Sequence, residues 1–265
     1  MIRDITIGRY YPADSPVHSL DPRVKLAGTL VFMVSVFFIK GLPSFIFATA
    51  VLIAAILVSK IPFGLFIRGI RAIRFILVIT FIVTLFSTAG RTLFQIGPLT
   101  ATFEGLSRGA YLIMRLSYLV LGASILTLTT TPTTMTDGLE SALGFLNRFK
   151  VPVHETAMIM TIALRFIPIL TDEMTRIMKA QGARGADFES RNLISRAKGL
   201  VPLAVPLFIS AVRRADELAC AMDARCYHGS EGRTRMYPLS FGGGDFIGFG
   251  VIALYIVVFV FLRKL

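Results

Sequence analysis

Five apolar runs, Leu26 to Ile39, Phe45 to Ser59, Phe75 to Ala89, Leu116 to Leu128 and Phe246 to Leu262, constrain this chain more than any other feature. Such a run has no polar face to turn to water, and in hydrocarbon its backbone must satisfy its own hydrogen bonds, which selects helix. Composition supports that solvent: 54% of the 265 residues are hydrophobic, 17% are charged, and mean hydropathy is +0.71, beyond the range of a soluble domain. Each run is shorter than the roughly 20 residues of an upright span. Lys25, Lys40 and Lys60 flank the first two runs and can lift their ammonium groups to the headgroups, so short spans suffice. Gly41-Leu42-Pro43-Ser44 is a tight turn joining these runs into a helical hairpin. The expected fold is an all-α integral membrane protein with about five transmembrane helices plus long cytoplasmic helices.

The formal charge of +12 fits the positive-inside rule better than a nucleic-acid partner. Lys60, Arg68, Arg71 and Arg74 lie between the second and third runs, whereas the neighbouring connections carry only Lys40, or Arg91 and Arg108. The four-cation side is therefore expected in the cytoplasm, with the N-terminus and the end of the fourth span near Thr130. Residues 131–240 hold half of the 28 Lys+Arg and 11 of the 16 Asp+Glu, the pattern of cytoplasmic amphipathic helices. The expected organisation is a four-span membrane domain over 1–130, a cytoplasmic helical segment over 131–240, and a C-terminal span over 241–265. That last span leaves Arg263 and Lys264 outside, where they fit the rule poorly. Residues 1–25 are polar and Pro-rich without a small-residue cleavage site, so the first span is expected to direct insertion itself.

Within 131–240, Thr130 to Thr136 reads as a Thr/Pro-rich break and Pro152 as a first-turn proline. A helix is expected from Val153 to Gly182, its apolar part Met158 to Leu170 lying along the membrane surface because Arg165 and Pro168 argue against a further span. A shorter helix around Ser190 to Gly199, a break at Pro202 and Pro206, and a helix from Leu207 to Arg225 complete the segment. Asp21-Pro22 reads as a helix N-cap and first-turn proline. Arg68, Arg71 and Arg74 precede their apolar run as an interfacial anchor. Arg115 is expected near the extracellular interface or inside the bundle, because a lipid-facing charge at mid-bilayer costs about 2.5–3.5 kcal/mol.

Catalytic chemistry finds little support. No G-x-x-x-x-G-K-[ST] phosphate loop and no G-x-S-x-G elbow occur, and no carboxylate lies mid-span to relay protons. His18, His154 and His228 are dispersed, and Cys220 and Cys226 form neither a zinc spacing nor a disulfide framework. No catalytic residue and no metal site are expected.

Two stretches repeat. AQGARGAD at 180–187 and AMDARCYH at 221–228 each place Ala-Arg at the end of a helical run, 41 residues apart. A basic residue complementing a helix C-terminus explains the first, where Gly185 can take the left-handed cap, better than the second, where Cys226 stands. A binding role explains both: a small Ala admits a close backbone, and a planar guanidinium grips carboxylates or carbonyls with two hydrogen bonds. A pair of similar helix ends suits a partner made of two similar subunits.

HSLDPRVKL at 18–26, the short spans, the long charged helical segment and the motifs Ala183-Arg184-Gly185 and Ala224-Arg225-Cys226 together resemble the transmembrane T component, EcfT, of energy-coupling-factor (ECF) transporters. The resemblance implies a bacterial, multi-pass cell-membrane subunit of an ATP-binding-cassette importer for vitamins or other micronutrients. It implies that two cytoplasmic ATPases, which bind the ATP and Mg, engage two coupling helices through those motifs, and that a separate membrane S component binds the nutrient. GRYYPADSPVHSLDPR at 8–23 is similar to T components that serve several S components. Cys226 departs from the family's usual Ala-Arg-Gly. The chain itself would hold no cofactor and act as a lever. The rival reading is a stand-alone channel or secondary transporter using Arg68, Arg71, Arg74 and Arg115. Hydropathy makes Met158 to Leu170 the candidate surface for the S component.

Overall fold

The computed structural model describes residues 10–39, 41–96, 99–186, 193–229 and 238–264. They form two compact units, one from 10–138 with 239–264 and one from 139–238. Helix dominates both, in the first as its apolar runs require, and among the described residues five helices are long and apolar enough to cross a membrane.

The first unit is a helical bundle. Ser15 caps a short turn, α1 (Pro16–Ser19), and the Asp21 carboxylate caps α2 (Pro22–Phe37) by accepting the Arg23 N–H at 2.9 Å, with Pro22 in the first turn as expected. Gly41, at φ +84°, turns the chain into α3 (Leu42–Ser59), and Lys60 ends it in the left-handed conformation. α4 (Phe63–Ser87) and α5 (Phe103–Thr129) follow. Both begin a dozen or so residues before the apolar runs within them, so Arg68, Arg71, Arg74, Arg108 and Arg115 lie on helix. An arginine stem continues a helix as readily as leucine does, and only the hydropathy changes at a cation.

Between α4 and α5 lies an antiparallel hairpin of β1 (Thr92–Ile96) and β2 (Leu99–Thr102), with a register irregularity between Thr92 and Phe94. Thr102 anchors its exit by accepting the Gly105 N–H at 3.0 Å and donating to the Thr88 carbonyl at 2.7 Å. α4 and α5 approach through a Gly-x-x-x-Gly step. A Cβ on Gly105 would meet the Leu85 carbonyl oxygen at 2.6 Å, and one on Gly109 the Phe81 ring at 2.8 Å. Small residues at such positions let backbones close in lipid, where dispersion and hydrogen bonding drive helix association.

The core comes from α2, α3, α5 and α9 (Gly243–Lys264), through Phe32, Val36, Phe45, Ala48, Leu52, Tyr118, Tyr255 and Phe259. Two hydroxyl pairs cross it: Tyr255 donates to Ser35 and Tyr118 to Thr49, while each acceptor donates back to its own helix. α9 runs parallel to α2. Asp245 accepts the Asp21 N–H at 2.7 Å and the Gly242 N–H at 2.8 Å at one end, and Arg263 lies over the Phe38 ring at the other. Arg23 adds a hydrogen bond to the Leu239 carbonyl and a position over the Phe241 ring. Outward, α4 exposes Phe75, Ile76 and Val78, the inversion expected where the surrounding solvent is lipid.

α6 (Pro132–Leu143) spans the boundary between the units. The second unit continues with a 3₁₀ turn (Gly144–Phe149), α7 (Val153–Ala183) and α8 (Leu193–Ala224). The break expected over Thr130 to Thr136 narrows to its first residues, because α6 begins at Pro132, and two further expectations change. α7 runs through Pro168 as expected, but it is one of the five described helices long and apolar enough to cross a membrane, whereas α2, at 16 residues, is not among them. α8 runs unbroken through Pro202 and Pro206 instead of dividing there. Each proline removes one N–H and crowds the carbonyl four residues back, costing about 3 kcal/mol in an isolated helix. The two prolines stand four apart on one face, and α8 is held by packing against α7.

Candidate functional site

The repeated Ala-Arg pairs occupy equivalent places: Ala183 is the last residue of α7 and Ala224 the last of α8, with Arg184 and Arg225 at the cap. At α7, Gly185 has φ +87°, its N–H donates to the Gly182 carbonyl at 3.0 Å, and the Ala186 N–H reaches the Gln181 carbonyl at 3.0 Å. At α8, Cys226 has φ +55°, its N–H donates to the Asp223 carbonyl at 2.9 Å, and the Tyr227 N–H reaches the Met222 carbonyl at 3.1 Å. Both are Schellman closures with the same two hydrogen bonds. Capping therefore operates at both copies, including the second, where no left-handed former was expected, although glycine still suits the position better than cysteine. Cys226 adopts the left-handed conformation despite its Cβ, at a cost of roughly 1–2 kcal/mol that glycine would not incur.

The closures consume carbonyls that a helix end would otherwise present to water, and they use backbone groups alone, not the guanidiniums. Arg184 and Arg225 are exposed, and neither forms an ion pair with a described residue. Each sits where the helix dipole favours positive charge. Ala183, Ala224 and Cys226 are exposed beside them, so little side-chain bulk obstructs a partner backbone.

α7 and α8 pack together, and a cross-helix ion pair links Glu173 to Arg214 at 3.9 Å. Glu173 lies 11 residues before Arg184, and Arg214 lies 11 before Arg225. At a rise of about 1.5 Å per residue, each arginine therefore stands about 16 Å beyond the same junction. The 41-residue offset between the motifs also relates Glu173 to Arg214, and Arg176 to Glu217, with charge reversed. Extending the offset backwards from the arginines is the sequence signal that finds this pair.

A second feature is apolar. α8 exposes Val201, Val205, Phe208, Ile209 and Val212, spaced as one helical stripe, and Phe208 is 71% exposed. On α7, Ile159, Met160 and Ile167 are exposed within the stretch that hydropathy marks, with Ile159 at 63%. Patches of this kind mark a surface for protein or lipid. The α8 stripe was hidden in the sequence by the break expected at its two prolines.

Among the described residues no cluster of His, Cys, Asp or Glu is arranged to hold a metal ion. The two helices meet at the Glu173–Arg214 pair, and each ends in an exposed guanidinium without an ion pair to a described residue.

A family model described as cobalt transport protein (CbiQ) matches residues 13–236. The chain is 50% identical over 256 residues to the energy-coupling factor transporter transmembrane protein EcfT of Thermosediminibacter oceani, covering 96% of this chain and 97% of that one. It is 48% identical to the protein of the same name from Heliobacterium modesticaldum, over the full length of both. With that of Bacillus subtilis it shares 43% identity over 246 residues, covering 92% of this chain and 93% of that one.

Proposed function

Because the chain belongs to the family of energy-coupling factor transporter transmembrane proteins, we propose that it is the mechanical coupling subunit of an ECF importer in the bacterial cell membrane. Two cytoplasmic ATP-binding-cassette ATPases, carrying the ATP and Mg, engage the ends of α7 and α8 through Ala183-Arg184-Gly185 and Ala224-Arg225-Cys226. A separate S component carries the vitamin or other micronutrient. The observation that carries this reading is the identical build of the two helix ends, equally distant from the Glu173–Arg214 junction. A pair of equal handles suits a pair of similar ATPases.

The proposed orientation puts the N-terminus and both arginines in the cytoplasm. α7 is about 46 Å long at its helical rise, longer than the roughly 30 Å hydrocarbon core. Its apolar first half therefore lies in or against the membrane, and its charged second half, with Asp172, Glu173, Arg176 and Lys179, projects from it. The exposed apolar residues of α7 and α8 form the seat of the S component. When the ATPases close on ATP and reopen after hydrolysis, the two arms move relative to each other about their junction and the seat tilts the S component.

Co-expression with the two ATPases and an S component tests the grip. Truncating one partner of a desolvated interface charge pair costs about 2–5 kcal/mol. Arg184→Ala and Arg225→Ala should therefore each reduce recovery of ATPase with the tagged chain, and the double variant should abolish it. Undiminished co-purification by the double variant refutes the assignment.

A further inference from the structure

The first unit holds a cavity of about 410 Å³ at the end of the bundle where α2 stops and α3 and α5 begin. Ile39, Phe45 and Leu112 give it apolar walls, the Tyr111 ring lies 4.9 Å from that of Phe45, and two cations, Arg108 and Arg115, line it from α5. The arginines are seven residues apart, two turns along one helical face, or about 10.5 Å. Arg108 is exposed, whereas Arg115 is partly buried, and its Nε is buried without a hydrogen-bond partner among the described residues.

Among the described residues nothing compensates the charge of this cavity. Neither arginine forms an ion pair with a described carboxylate, and no Asp or Glu lines the walls. Glu104, one turn before Arg108, accepts the Arg91 N–H at 2.7 Å and so serves the hairpin. A guanidinium at the edge of hydrocarbon demands a counter-charge, and its planar fork matches a phosphate with two parallel hydrogen bonds. A free hydrated anion would leave the apolar walls unused. An amphiphile with an anionic phosphate head and an acyl body uses both.

We propose that Arg108 and Arg115 form a binding site for the headgroup phosphate of an anionic phospholipid, whose acyl chain lies against Ile39, Phe45 and Leu112. The site lies at the opposite end of the bundle from the Asp21–Asp245 clasp, and the proposal is independent of the coupling role.

The chain contains no tryptophan, so Leu112→Trp in the full-length protein, reconstituted in bilayers, reports on this cavity alone. Ile53→Trp, at an exposed position on α3, reports on bulk lipid. Brominated phosphatidylglycerol is expected to quench the Leu112→Trp variant at least about fivefold more effectively than brominated phosphatidylcholine, as one or more basic contacts imply, while the Ile53→Trp variant shows no preference. Arg108→Gln with Arg115→Gln in the Leu112→Trp background should abolish the preference, and millimolar inorganic phosphate should not relieve the quenching. Equal quenching of the Leu112→Trp variant by the two lipids overturns the proposal without reference to any arginine variant. A preference that survives in the folded glutamine pair also overturns it, and relief by inorganic phosphate reassigns the site to a free anion.

Discussion

At Cys226 a side chain occupies a backbone conformation that favours glycine, and Gly185 shows how the same closure is made without that strain. A Cβ on Gly185 would meet no atom of a described residue within 4 Å, so substitutions at these two sites are expected to read chiefly the conformational cost. Cys226→Gly is expected to stabilise the chain by about 0.5–1 kcal/mol, the left-handed cost relieved less the added freedom of glycine in the unfolded chain. Gly185→Ala is expected to destabilise by a similar amount. Thermal unfolding of the purified protein measures both, and a lower midpoint for Cys226→Gly would show that the thiol contributes something the backbone geometry does not explain. The motif was legible as a repeat, but the conformation of Cys226 was not, because propensity assigns that role to glycine and here the two closing hydrogen bonds override it.

Among the elements, α4 and α5 depend on close backbone approach. Gly105→Ala would place a Cβ 2.6 Å from a backbone carbonyl that can yield only if the helices separate, and we expect a loss of about 1–3 kcal/mol. Gly64→Ala, in the first turn of α4 with open space around its Cβ, should be neutral or stabilising by up to about 1 kcal/mol through helix propensity. Unfolding in denaturing detergent separates the two, and equal effects would argue against close packing at Gly105. The helix start at Asp21-Pro22 and the turn at Gly41 were legible because caps and turns are local, although α3 already begins at Leu42, inside the expected turn. The full lengths of α4, α5 and α8 were not. Hydropathy stops at a cation and local rules stop at a proline, while a helix stops at neither when its neighbours hold it. The 92–102 hairpin is too short to show a period of two. The clasp of Asp245 on Asp21 joins residues 224 apart in sequence, beyond the reach of any local pattern.

For the whole molecule, the family and an all-helical membrane fold were legible from apolar runs and motifs that extend along the chain. The membership of the spans was not, because α7 is apolar enough to cross despite Arg165 and Pro168, and composition alone does not say whether a long helix lies in, on or across a bilayer. The proposed lever makes its strongest demand at this scale: force enters at two arginines and leaves at an apolar seat, so the hydrolysis and transport rates of the complete complex must depend on both grips. The most direct measurement is nutrient uptake and ATP hydrolysis, side by side, by the complete transporter in proteoliposomes carrying Arg184→Ala with Arg225→Ala. Uptake is expected to fall by at least about 30-fold, the lower bound set by a 2 kcal/mol grip, with any remaining hydrolysis no longer matched by transport. Parental uptake with parental coupling in that double variant would contradict the account.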